Sequence, residues 1–175
     1  MKTKFILIPL VSLMLLAQPF HSQAAGQKKS AIGLGARSQV KHSVMKDLPF
    51  EDGDITYTAS YEYHDAAGYW QLMVGYTPDV GDGDVIDYVI TPQLNLIIQD
   101  KIFLAGTGIL GSYISDKETG SDWTDVYWQL MLGLEIPVGP LSIEAMASYQ
   151  FDKWGNLSDF EFDDITYGGS LKFYF

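Results

Sequence analysis

Ile165-Thr166-Tyr167-Gly168-Gly169-Ser170-Leu171-Lys172-Phe173-Tyr174-Phe175 is the stretch that decides the fold. Ile165, Tyr167, Leu171, Phe173 and Phe175 share one parity, and Thr166, Gly168, Ser170, Lys172 and Tyr174 share the other. Successive side chains of a strand point to opposite faces, so this segment has one apolar face and one polar face. Its length suits a tilted strand that crosses a bilayer.

The same alternation recurs upstream. It predicts eight strands near 30–40, 54–64, 69–78, 85–98, 101–114, 123–136, 141–152 and 164–175. In the second, Ile55, Tyr57, Ala59, Tyr61 and Tyr63 oppose Thr56, Thr58, Ser60, Glu62 and His64. In the sixth, Val126, Trp128, Leu130, Leu132, Leu134 and Ile136 oppose Tyr127, Gln129, Met131, Gly133 and Glu135. In the seventh, Leu141, Ile143, Ala145, Ala147, Tyr149 and Phe151 oppose Ser142, Glu144, Met146, Ser148, Gln150 and Asp152. The fifth is apolar on both faces, and its pattern does not orient it. No window shows helical periodicity.

Connections alternate in size. Asp65-Ala66-Ala67-Gly68, Gln99-Asp100 and Val138-Gly139-Pro140 are tight, while 41–53, 79–84, 115–122 and 153–163 are mostly longer and polar. Short turns at one end and long loops at the other are the habit of membrane barrels. An even strand count returns both termini to one side. Together these features predict an all-β, eight-stranded antiparallel up-and-down transmembrane β-barrel.

The charges then select the face toward lipid. A basic residue on the outer wall at mid-bilayer costs about 2–4 kcal/mol. Arg37, Glu62, Glu135, Glu144 and Lys172 all lie on polar faces, so they are expected inside. A narrow lumen penalises unpaired charge. The expectation is one network joining Arg37 and Lys172 to the three glutamates, with Glu62 and Glu144 separating the two bases. Aromatics fall at two levels. Tyr63, Trp70, Phe103, Phe173 and Phe175 gather at the turn side, and Tyr57, Tyr76, Tyr88, Tyr113, Tyr149 and Tyr167 at the loop side. Such girdles mark the headgroup boundaries.

The amino terminus has the layout of a secretory signal peptide over residues 1–25, which leaves 26–175 as one barrel domain. Lys2 and Lys4 precede the apolar run Phe5–Leu16, and Ser22-Gln23-Ala24-Ala25 offers small residues for cleavage. The run is short for a membrane helix, which disfavours an uncleaved anchor. The chain has no cysteine, which excludes disulfides and thiolate metal sites.

With its carboxyl-terminal pattern Leu171-Lys172-Phe173-Tyr174-Phe175, the chain resembles the small eight-stranded outer-membrane barrels, the group of the OmpA membrane domain, OmpX and OmpW. The resemblance covers the whole chain after residue 25. It implies a bacterial outer-membrane address with both termini periplasmic. It also implies that Leu171, Phe173 and Phe175 are the signal read by the barrel-assembly machinery. A monomer with a structural, envelope-integrity or surface-contact role is the function expected. The alternatives are a transport element for small apolar compounds and a lipid A-modifying enzyme. A soluble lipocalin-like barrel, with the apolar face inward, shares the same alternation.

Net charge is −11, and loss of Lys2 and Lys4 takes it to −13. The acids concentrate in the predicted loops: Glu51, Asp52 and Asp54; Asp79, Asp82, Asp84 and Asp87; Asp116, Glu118, Asp122 and Asp125; Asp152, Asp159, Glu161, Asp163 and Asp164. Such a rim repels nucleic acid. It suits Mg²⁺ or Ca²⁺ and, through them, lipopolysaccharide phosphates, although a solvated acidic surface without ordered ions is the simpler reading. Gly81-Asp82-Gly83-Asp84 lacks the spacing of a calcium loop. No cofactor is expected. After processing, two histidines remain, His42 beside Ser43 and His64 beside a tight turn, neither with a nucleophile at a convincing position. The chain is therefore not expected to be an enzyme. Arg37, Glu62, Tyr127, Met131, Met146 and Tyr174 crowd the predicted interior, so a plugged polar lumen is expected. Trp123, Trp154, Phe160 and Phe162 are apolar anchors expected in the loops.

Overall fold

A computed structural model describes residues 30–41, 45, 48–65, 68–80, 85–118 and 120–175. The predicted signal segment 1–25, the His42–Ser43 pair, Lys46, the Ala66–Ala67 turn and Gly81–Asp84 lie outside the described residues. The strands are β1 (Ser30–Ser38), β2 (Ile55–Asp65), β3 (Gly68–Pro78), β4 (Ile86–Asp100), β5 (Phe103–Leu110), β6 (Tyr113–Asp116), β7 (Gly120–Trp123), β8 (Tyr127–Val138), β9 (Leu141–Phe151) and β10 (Ile165–Tyr174). Two short 3-10 helices, Trp154–Asp159 and Phe162–Asp164, sit in the last loop.

The ten strands make eight staves. Strand β4 pairs with β5 and then with β6, which continue one another across Gly111 and Ser112. Strands β7 and β8 continue one another across 124–126, pairing with β6 and β5. Every neighbouring pair is antiparallel, and β1 pairs with β10 from Ala31↔Tyr174 to Ser38↔Tyr167, which closes the cylinder. The amide of Phe175 donates to the Ser30 carbonyl at 2.9 Å, so the seam is bonded to the last residue. Among the described residues, closure gives every strand but β7 a partner on both sides. The predicted strands appear in place. The fifth starts later and runs on to Asp116 through a break, and the sixth begins at Gly120.

Inside and outside follow the alternation. Leu34, Leu72, Val74, Leu132, Ile136, Ile143 and Leu171 stand exposed on the outer wall. Arg37, Glu62, Glu135, Glu144 and Lys172 are buried within. A soluble barrel would reverse this distribution. Strand β10 has 10 residues. At about 3.3 Å per residue and a tilt near 40°, such a strand spans about 25 Å, the height of a barrel's apolar band.

The structure orients the fifth strand. Leu104 and Leu110 are buried and face the lumen with Gly106 and Gly108, while Phe103 and Ala105 face out. Two features depart from expectation. Tyr149 lies on the outer face yet is buried, so it is no part of an exposed girdle. The last loop folds against the outer wall and covers it. The lumen is also polar only in part. Tyr69, Ile97, Leu104 and Met131 form one apolar cluster inside it. At the loop end, Met45, Leu48, Phe50 and Val80 pack on Val89, Leu110 and Tyr127. The first loop therefore seals the mouth with apolar side chains, a burial that favours its folding inward.

Candidate functional site

The strongest constellation lies near the turn end of the lumen. Lys172 comes from β10, where its backbone sits opposite Gly33 of β1 and Ser142 of β9. Gly33 has no side chain to obstruct it. A Cβ there would fall 2.5 Å from Ser60 Oγ and 3.4 Å from Lys172 Cγ. The lysine crosses this space and places Nζ 2.6 Å from Glu144 Oε2, 2.8 Å from Glu62 Oε1 and 3.2 Å from Glu135 Oε2. It also donates to the Tyr69 hydroxyl at 3.0 Å, 4.7 Å above which ring's centroid Nζ lies in the same contact.

Each carboxylate oxygen has a partner. Gln71 donates to Glu62 Oε1 at 2.7 Å, and His64 Nε2 lies 3.0 Å from Glu62 Oε2. Tyr69 and Ser170 donate to the two oxygens of Glu144, both at 3.2 Å. Tyr174 donates to Glu135 Oε1. One ammonium among three carboxylates leaves an excess of negative charge. These neutral donors offset part of its desolvation, as buried ions require. The His64 ring stacks on Tyr69, with centroids 4.4 Å apart, and meets the Tyr174 ring edge-on at 5.2 Å.

Above this cluster runs a chain of amides. Asn95 donates to Gln71 at 2.8 Å, and Gln129 donates to Asn95 at 2.7 Å and to Gln93 at 3.1 Å. A chamber of about 40 Å³ adjoins them, lined by Arg37, Gln93, Gln129, Met131, Glu144 and Met146 among others. Its wall is mostly apolar, with a few polar groups that could hold a water. Higher still, Tyr127 and Thr91 bond Ser112, and Thr56 bonds Thr77 and Gln39.

The expected network must be corrected at Arg37. The structure brings Lys172 together with Glu62, Glu135 and Glu144, and leaves Arg37 out. Arg37 pairs with Gly168 of β10, four residues from the Gly33–Lys172 pair. At the rise of a strand, that is roughly 13 Å away. Arg37 is 8% exposed, makes no ion pair among the described residues, and its Nε finds no hydrogen-bond partner among them. Truncating it removes a buried charge without breaking an ion pair among the described residues. Arg37→Met is therefore expected to shift the unfolding free energy by less than about 1 kcal/mol, read from denaturant midpoints in lipid vesicles.

Tyr69, His64, Gln71, Ser170 and Tyr174 are members that the charged residues alone did not reveal. Parity supplied a signal, because Tyr69 shares the lumen face of β3 with Gln71. Leu171, Phe173 and Phe175 stand exposed on the outer wall at the turn end. Among the described residues, no group of three or more His, Asp or Glu is placed to hold a metal ion. In the first loop, Lys41 pairs with Glu51 at 2.8 Å, and that carboxylate holds the ammonium above its ordinary pKa. Both partners are exposed, where such pairs contribute little.

The chain is a closed eight-stave antiparallel barrel, apolar outside and ionic within, the architecture that small outer-membrane barrels have. Comparison with solved structures agrees. The chain is similar to the crystal structure of Neisserial surface protein A, with a TM-score of 0.52 and 11% identity, over 83% of this chain and 96% of that one. At this identity the likeness shows the fold. No family model and no curated protein matches the chain.

Proposed function

We propose that the chain is a non-enzymatic integral barrel of a bacterial outer membrane, with an envelope-integrity or surface-contact role. The observation that carries this reading is the radial sorting of side chains. Arg37, Glu62, Glu135, Glu144 and Lys172 are sealed within, and aliphatic residues cover the wall outside. Hydrocarbon is the solvent that stabilises such a wall.

Ser30, the first described residue, and Phe175 lie at the tight-turn end, so in this reading that end is periplasmic and the long loops face outward. The amino-terminal segment exports the chain. Leu171, Phe173 and Phe175 present the assembly signal from the outer wall. The acidic loop residues are the contact for lipopolysaccharide through divalent cations. The monomer needs no partner to close its sheet, because β1 and β10 close it. Passage along the axis is opposed by the ionic cluster below and the apolar plug above.

Fractionation tests the reading. The protein is expected in the outer-membrane fraction, migrating at different positions before and after boiling, and giving no conductance steps in planar bilayers. Recovery in the soluble periplasm would overturn the membrane assignment. Stable conductance would replace the structural role with transport.

A further inference from the structure

The loop after β9 is built unlike a solvated loop. Trp154 packs on Phe151 and on Trp128, with ring centroids 5.1 Å and 5.4 Å apart. Phe160 packs on Tyr149 at 4.6 Å and meets Phe162 edge-to-face at 5.0 Å. Tyr149 and Phe151 continue the outward column of Ile143, Ala145 and Ala147 on β9, and the register with β8 runs unbroken through both. The loop thus lies radially outside the barrel, against the wall rather than over the mouth.

It covers two wall aromatics and exposes three of its own. Phe151 is fully buried, whereas Phe162 is 78% exposed and Trp154 and Phe160 about half. Tyr167, exposed on the neighbouring strand β10, extends the same surface. Glu161 and Asp163 flank Phe162 and are exposed, as is Lys153. Aromatic rings interspersed with charge fit the boundary between acyl chains and headgroups. A patch this apolar is unfavourable in water.

We infer that the segment 152–164 is a membrane-interface anchor, with Trp154, Phe160 and Phe162 seated at the acyl–headgroup boundary of the loop-side leaflet. The occupant is lipid because the patch continues the column that faces hydrocarbon below it. The segment extends the barrel's lipid contact upward over β8 to β10. This assignment rests on the membrane reading above.

Single-tryptophan proteins test it. One retains Trp154 and the other Trp70, an exposed wall residue at the turn end, with the remaining tryptophans changed to Phe. Both are folded into phosphatidylcholine vesicles, with and without bromine on the acyl chains near the headgroup, and the heat-dependent gel shift verifies folding. Trp154 is expected to lose most of its emission in brominated lipid, as Trp70 does, and to resist aqueous iodide. If Trp70 is quenched by bromine while Trp154 responds only to iodide, the anchor is overturned and the membrane reading stands. Shielding of Trp154 from both quenchers overturns the anchor in favour of a protein contact. If neither residue responds to brominated lipid, the membrane reading itself fails.

Discussion

Lys172→Met is expected to destabilise the barrel by about 3–5 kcal/mol, because removing one partner of a buried ion pair strands the others. Here the lysine serves three carboxylates at once, at 2.6, 2.8 and 3.2 Å. Methionine matches its reach and removes its charge. The three glutamates would then face one another around an apolar chain, with only Tyr69, Tyr174, Gln71, Ser170 and His64 to oppose them. The midpoint of urea or guanidinium unfolding in vesicles reads the effect, with folding in vitro separating stability from cellular assembly. Adding Glu144→Gln to the variant removes the carboxylate nearest Nζ and is expected to restore part of the loss. A Lys172→Met protein with an unchanged midpoint would show that the cluster does not hold the staves together. The contrast with Arg37→Met is the sharper comparison. Two buried bases in one lumen are expected to differ severalfold in what their loss costs, since among the described residues only Lys172 of the two makes ion pairs.

The outer wall supplies the second large effect. Leu132 sits mid-strand in β8 and is 68% exposed. In water, Leu132→Arg would be a surface substitution, within about 0.5 kcal/mol of neutral. In a bilayer, the guanidinium would stand near the middle of the hydrocarbon, at about 2–4 kcal/mol. The same denaturation assay in vesicles is expected to show the larger value, and a detergent of shorter chain length a smaller one. A neutral outcome in vesicles would remove the physical basis for placing this wall in hydrocarbon.

How much of this was legible beforehand depends on the range of the interaction. The parity of Ile165 to Phe175 is local. A strand must send Lys172 and Leu171 to opposite faces whatever surrounds it, so the sorting of β2, β8, β9 and β10 could be read directly. The fifth strand could not be read this way. Leu104, Ala105, Ile109 and Leu110 are apolar on both parities, and its orientation is settled by pairing, with Gly108 opposite Asn95 and Gly106 opposite Ile97. The breaks at 111–112 and 124–126 were also hidden, because they are lapses in pairing within continuing staves, the first opposite Thr91 and Pro92 of β4, rather than turns that reverse the chain.

The charged cluster shows the same division more finely. That five ionised residues face inward was a matter of parity. Which of them meet was not, because contact across a lumen depends on the stagger of staves far apart in sequence. Lys172 sits opposite Gly33 of β1 and Glu62 opposite Ala31, two residues along, and the missing side chain of Gly33 lets the lysine pass to reach it. Arg37 lies on the strand beside Lys172 and is still a few residues too high to join it. Tyr149 was placed on the correct face but given the wrong neighbour, because Phe160, eleven positions further along the chain, folds back on it.

By itself, then, the sequence determined the alternating strands and which side chains share a face, through a period of two that every strand enforces on its own. The tertiary structure alone decided that Lys172 rather than Arg37 gathers the glutamates, that the first loop seals the mouth, and that the last loop clothes the outer wall. The physical reason is that alternation is set by the geometry of one chain segment. Register, closure and loop docking are set by which distant segments bury one another's surface and charge.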